Sequence, residues 1–156
     1  MPVYPSLMAV HPRKTIREKI VTLLTAGVTS AAGRVYDSRD KQPIQTAPFV
    51  VVRTTADESL AGDIINLALP RHQRQLTVEI DVVDTERPSS GTLAGDADDL
   101  AREIEETLAV NPTLDGLALS CLYSVSILEE GLEVDPPAYR VGMTYLVLYE
   151  DALGAP

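Results

Sequence analysis

Only a few residues of this chain could do chemistry. The two histidines, His11 and His72, have no second ligand at helical spacing. They read as exposed polar residues rather than metal ligands. Glu79 and Asp81 share one face of a strand pattern, with Asp84 close by. Two carboxylates on one face could hold a hard cation, but no third ligand is specified, and a solvated sheet face is the simpler account. Cys121, the single cysteine, falls on the apolar face of a strand, where a buried, inert thiol is the default. Ser120, Ser124 and Ser126 have no histidine nearby in sequence to act as a base. Gly91 and Gly95 do not form a phosphate-binding loop between a strand and a helix. The expectation is a protein without catalytic residues, metal or cofactor.

Charge narrows the partners. Thirteen basic against twenty-three acidic residues leave a formal charge of −10. That opposes a surface that grips nucleic acid broadly, since phosphate binding needs clustered cations. The basic residues Arg34, Arg39, Lys41, Arg53, Arg71, Arg74 and Arg140 fall along strand ends and loops. They are either scattered surface charge or a set that meets an acidic neighbouring subunit. The carboxylates Asp96, Asp98, Asp99, Glu103, Glu105 and Glu106 read as helix capping, dipole compensation and a solvated face. A lone cysteine does not imply an oxidising compartment. The start Met1-Pro2-Val3-Tyr4-Pro5 lacks a basic stretch and does not read as a signal peptide. No apolar run reaches the roughly 18 residues of a membrane span. Maturation in a cytoplasm is expected.

These residues must be positioned by seven elements. A helix is expected from Pro12, with Ile16, Ile20, Leu23 and Leu24 on its apolar face, Arg17, Glu18 and Lys19 off that stripe, and Gly27 as its stop. A short strand follows at Arg34–Asp37. A largely buried strand runs from Phe49 to Thr55, opened by Pro48. The cleanest strand lies between His72 and Thr85: Leu76, Val78, Ile80 and Val82 face one way, Thr77, Glu79 and Asp81 the other. A second helix is expected from Asp96 to Asn111-Pro112, with Ala97, Leu100, Ala101, Ile104 and Leu108 turned inward. Two strands close the chain. The first puts Leu117, Leu119, Cys121, Tyr123, Val125 and Ile127 on one face. The second puts Tyr139, Val141, Met143, Tyr145, Val147 and Tyr149 on one face. Residues 1–10 read as an extension and residues 151–156 as a frayed tail on a single domain spanning 1–156. The α-β-β-β-α-β-β order implies an α+β class: a mainly antiparallel or mixed sheet of five strands, with both helices on one face and a polar other face.

The segment from Leu60 to Leu69 is the anomaly. Leu60, Ile64, Ile65, Leu67 and Leu69 are too apolar for a free loop. Either they extend a hairpin packed on its own domain, or they are covered by another chain.

The elements Gly33-Arg34-Val35-Tyr36-Asp37-Ser38-Arg39, Ala47-Pro48-Phe49-Val50-Val51-Val52, Leu76–Ile80, Asp98–Glu105 and Tyr145–Tyr149, taken in order, resemble the tail terminator (minor tail protein U-like) family of long-tailed bacteriophages and prophages. The resemblance covers roughly residues 10 to 150 and rests on element order and weak patterns. It implies a structural virion protein with no enzyme activity and no cofactor, at the head-proximal end of the tail and assembled in the host cytoplasm. It implies a homo-hexameric ring on the last tail-tube subunits that stops polymerisation and offers a surface to head–tail connector proteins. DNA would pass through without specific binding, and no membrane is involved. On this reading the Leu60–Leu69 arm reaches a neighbour or the tube, and the Arg34–Arg39 segment lies near a ring interface. The expected interface set is Arg34, Tyr36, Arg39, Arg53, Leu60, Ile64, Ile65, Leu67, Leu69 and Arg71. Another head–tail joining or tail completion protein, or a small ligand-binding domain, would suit the same composition.

Overall fold

A computed structural model of the chain describes residues 10–37, 47–60, 71–85, 93–132 and 138–152. In chain order the elements are α1 (Pro12–Gly27), a 3₁₀ turn (Thr29–Ala31), β1 (Val35–Asp37), β2 (Phe49–Ser59), β3 (Arg71–Thr85), α2 (Leu93–Ala109), β4 (Ser120–Leu132) and β5 (Ala138–Ala152). The order and the α+β class agree with the sequence. The five strands form one sheet in the order β1-β2-β3-β5-β4. β1 runs parallel to β2, and every other neighbouring pair is antiparallel. Because β3 and β4 are each antiparallel to β5, they run parallel to one another. Parallel strands need a long crossover, which α2 provides, and β5 then turns back to fill the place between them.

The core follows from alternation. Leu76, Val78, Ile80 and Val82 of β3 are fully buried, and Val141, Met143, Tyr145, Val147 and Tyr149 of β5 face the same way. α1 lies over β1 and β2, and α2 over β3 and β5. They bring in Ile16, Ile20 and Leu24 from one side and Ala97, Leu100, Ile104 and Leu108 from the other. Each large aliphatic side chain buried this way contributes about 1.5–3 kcal/mol.

Several boundaries differ from the expectation, each for a local reason. α2 begins at Leu93, so Asp96 sits inside the first turn, where its charge still favours the dipole. β2 continues to Ser59 because it pairs with β3 as far as Arg74, past a bulge between Thr54 and Ala56. The Leu60 amide extends the pairing by donating to the Gln73 carbonyl at 3.0 Å. Thus the hairpin continues as far as Leu60; residues 61–70 lie outside the described residues. β5 includes Asp151 and Ala152, which pair with His72 and Arg71, so the tail begins later than expected. Leu117 is not on a strand. Residues 112–117 form turns in which Leu114 and Asp115 take positive φ, and Leu114 rather than Leu117 is buried. Asn111 holds that turn by accepting from the Asp115 amide at 3.0 Å and donating to its carboxylate at 2.6 Å.

Three charged residues are buried among the described residues. Arg17, expected off the apolar stripe, is buried. Its Nε donates to Asp37 at 2.8 Å and its Nη1 to Thr54 at 3.3 Å, tying α1 to β1 and β2. Asp81, expected on a solvated face, is only 6% exposed. It lies between the guanidiniums of Arg53 and Arg140, the latter at 2.6 Å. Asp84 faces the opposite side of the sheet from Asp81 and is buried, with one carboxylate oxygen accepting from the Thr85 amide at 2.8 Å.

Gly27 is helical, and its role is close approach rather than a left-handed stop. A Cβ on it would fall 2.5 Å from Thr107 Cγ2 and 2.6 Å from its Oγ1, where α1 meets α2. Gly27→Ala is expected to destabilise the protein by about 1–3 kcal/mol. Adding Thr107→Ala should recover most of the loss. Urea unfolding of the single and double variants measures this; simple additivity would show that the contact does not limit helix approach.

Candidate assembly surface

β4 is an edge strand of thirteen residues. Among the described residues no strand pairs with its outer backbone row, and natural edge strands normally restrict such a row by being short, charged or covered. Here it carries apolar side chains instead. Leu122, Tyr123, Val125, Ile127 and Leu128 are between 47% and 60% exposed. Such a cluster on one strand is more than scattered surface hydrophobicity.

A bulge generates it. Cys121 pairs with Val147 and Tyr123 with Tyr145, so both point to the helix side. The register shifts between Tyr123 and Val125. The extra residue turns Val125 and Ile127, which pair with Thr144 and Gly142, onto the helix-free face. The single six-residue stripe expected from Leu117 to Ile127 is therefore split. On the helix-free face, Leu122 lies opposite Leu146 and Ser120 opposite Leu148. The part of that face along β4 and β5 is thus apolar, where a polar face was expected. Glu129 closes the stripe with an ion pair to Arg140 at 2.9 Å.

On the helix side, β4 and the end of α2 enclose a groove of about 400 Å³, with Leu108, Cys121, Tyr123 and Tyr145 in its wall and Arg102 and Glu105 also lining it. The Tyr123 and Tyr145 rings meet edge to face, with centroids 5.7 Å apart. The Tyr145 hydroxyl is buried without a hydrogen-bond partner among the described residues. Burial, reinforced by Glu105, holds that phenol protonated well above its ordinary range. Burial pushes the Cys121 thiol up to about 11. A protonated thiol is a poor nucleophile, so this groove is suited to contact and not to attack. Among the described residues no group of three His, Cys, Asp or Glu side chains could hold a metal ion. No described helix is long and apolar enough to cross a membrane.

The residues singled out from the sequence lie elsewhere. Arg34 is committed within the chain, its Nε donating to the Pro48 carbonyl at 2.7 Å. Tyr36 stacks edge to face on Phe49 at 6.4 Å beside the opposite sheet edge. Arg53 pairs with Glu79 and Asp81 on the helix-free face. Leu60 is exposed at the end of β2. Arg71 is in β3, but its side chain, like residues Arg39, Ile64, Ile65, Leu67 and Leu69, lies outside the described residues. The structure groups Tyr36 and Arg53 on one face and leaves Arg34 and Leu60 apart. Sequence reading missed the β4 cluster. The available signal was that Leu122 and Leu128 break the alternation, making the strand apolar on both faces.

This fold recurs in a virus-like particle. A chain in a solved structure described as the virion of a native gene transfer agent particle superposes with a TM-score of 0.55 at 13% identity, covering 86% of this chain and 94% of that one. At that identity the likeness is one of fold. No protein-family model and no curated protein matches the sequence.

Two buried acids, Cys121 in the groove and Tyr149 beside Asp57, give a pH signature. In the unfolded chain Cys121 titrates near its ordinary 9.0 and Tyr149 near 10.0, whereas folding raises them to about 11 and about 12, mainly through burial. Above about pH 9 the unfolded state therefore holds fewer protons than the folded one, and stability falls as pH rises. The urea midpoint should drop between about pH 8 and about pH 10.5, and Cys121→Ala should reduce the drop. A flat profile would show that the thiol is not desolvated.

Proposed function

We propose that this chain is a structural component of a phage-like virion, and that it works as a tail terminator: a ring seated on the last tail-tube subunits that ends tube growth and receives the head connector. The observation that carries the reading is the exposed apolar side chains of the edge strand, on a fold shared with a chain of a gene transfer agent virion.

A ring of identical subunits uses heterologous contacts that close by rotation, so each copy needs two different patches. β4 supplies the first, through Leu122, Val125 and Ile127. The arm after β2, with Leu60, Ile64, Ile65, Leu67 and Leu69, supplies the second or reaches the tube protein. Arg34, Tyr36, Arg39, Arg53 and Arg71 complete the proposed contact set. The partners are then other copies of the chain, the tube protein and the head–tail connector. The place is the head-proximal end of the tail, after assembly in the host cytoplasm. The net charge of −10 suits a lumen through which DNA passes without sticking. The role requires neither catalysis nor a cofactor. A different joining position in the virion shares the same supporting fold and would differ in its partners.

The test is mass in solution by light scattering, over a range of concentration and with purified tail tubes added. A closed ring of about six copies, alone or on tubes, is expected. Ile127→Lys and Val125→Lys should abolish it while leaving the unfolding free energy from urea titration within about 0.5 kcal/mol of the parent, as surface substitutions do. A monomer that ignores tubes at every concentration would remove the reading.

A further inference from the structure

A second hollow, about 350 Å³, lies on the β2 side of the sheet under the first two turns of α1. Its walls are Arg13, Arg17, Thr54, Thr55 and Asp57, with Leu76 also lining it. It is unlike the groove beside β4, because its polar groups are mostly donors. Arg17 is 4% exposed. Nε is used by Asp37 and Nη1 by Thr54, while Nη2 is buried with no hydrogen-bond partner among the described residues. A buried guanidinium N–H without an acceptor is costly, and such groups call for one.

The acids nearby are already engaged. Asp57 accepts two bonds from Arg74, at 3.1 and 3.0 Å, and one from the Tyr149 hydroxyl at 3.0 Å. Arg13 stands 3.6 Å from the same carboxylate with half its side chain exposed. Thr54 accepts from Arg17, so its own hydroxyl proton is left to donate outward. Arg13 is in the first turn of α1, where the helix dipole adds positive potential. The charged groups that line the hollow, Arg13 and Arg17 against Asp57, sum to +1, and the ion-pair partners behind them, Arg74 against Asp37 and Asp151, bring the neighbourhood to neutral, in a chain of −10.

We propose that this hollow binds a small oxyanion, a phosphate or carboxylate group, held by Arg17 Nη2 and Arg13 with the hydroxyls of Thr54 and Thr55. Guanidinium groups match such anions in charge and planar donor geometry. The site does not depend on the virion reading. Its anion comes either from solution or from a carboxylate of a second copy.

The probe is inorganic phosphate, titrated calorimetrically into the full chain at constant ionic strength, with chloride as the control. Saturable binding at one site is expected. Arg13→Gln and Thr54→Val should each weaken it, Arg13→Gln by about tenfold, the scale of a charged hydrogen bond. Arg13→Gln removes a half-exposed side chain, so its circular dichroism and its unfolding midpoint without phosphate should stay near the parent's. Phosphate that binds no better than chloride would overturn the proposal, as would saturable binding unchanged in both variants. Light scattering during the titration separates the sources. A mass unaffected by phosphate assigns the site to a free anion, and a mass that falls as phosphate saturates assigns it to a carboxylate of a second copy.

Discussion

Two helices cannot cover five strands, and much of this molecule follows from that shortfall. A helix with its side chains is about 10 Å across, and strands are spaced about 4.8 Å apart, so a pair of helices shelters about four strands. α1 and α2 are drawn together at Gly27, where no Cβ intervenes before Thr107, and their stripes cover β1, β2, β3 and β5. The fifth strand is left over. Because α2 is also the crossover between β3 and β4, β4 lies at the sheet edge, and among the described strands it pairs with β5 alone. A polar strand could occupy that place without consequence. β4 is apolar on both faces, and this mismatch is what makes it the candidate assembly surface.

The helix-free face solves a second problem, which is how a bare sheet keeps its strands in register. β2, β3, β5 and β4 are stitched by charge running through Arg53, Asp81, Arg140 and Glu129. Asp81 is central because two guanidiniums meet on it, and Gly142 opposite leaves room, its position allowing a Cβ only 3.3 Å from the Asp81 carboxylate. Replacing one partner would strand the others, so the network fixes register more than it adds stability. It also marks where the apolar part of the face stops: Glu129 is the next residue after Ile127 on that face.

How much of this could be read in the sequence depended on whether one periodicity held along a whole element. β3 alternates without interruption and packs on a single core, so its inward residues Leu76, Val78, Ile80 and Val82 were legible, as were Leu100, Ile104 and Leu108 on α2. The order of elements and the α+β class followed from them. Bulges were not legible. An extra residue at Thr54–Ala56 or Tyr123–Val125 leaves no mark in composition, yet it reverses every side chain beyond it. An alternation read straight through the bulge therefore puts Val125 and Ile127 on the wrong face, and composition alone points to the Leu60–Leu69 arm as the apolar surface. Buried charge was hidden for a related reason. Arg17 lies just off an apolar stripe, and only the place of Asp37 and Thr54 across space turns it inward. Gly27 was noticed for its conformational freedom, whereas its function is to be small.

An exposed apolar edge on an isolated domain invites uncontrolled strand pairing, and the features that restrain it here are also those a closed assembly needs. The charge of −10 opposes the approach of free copies within about a Debye length and yields at contact, where apolar burial is larger. The bulge twists the middle of β4, so a flat partner strand cannot zip along its whole length. Glu129 beside the stripe penalises any register that buries it without Arg140. Together these favour one docking geometry over a continuum of slipped ones. A single repeated heterologous geometry generates either a ring or a filament, and which one results is set by the rotation between copies. On the proposed function that rotation closes, and the apolar composition of the Leu60–Leu69 arm makes it the natural counterpart to β4.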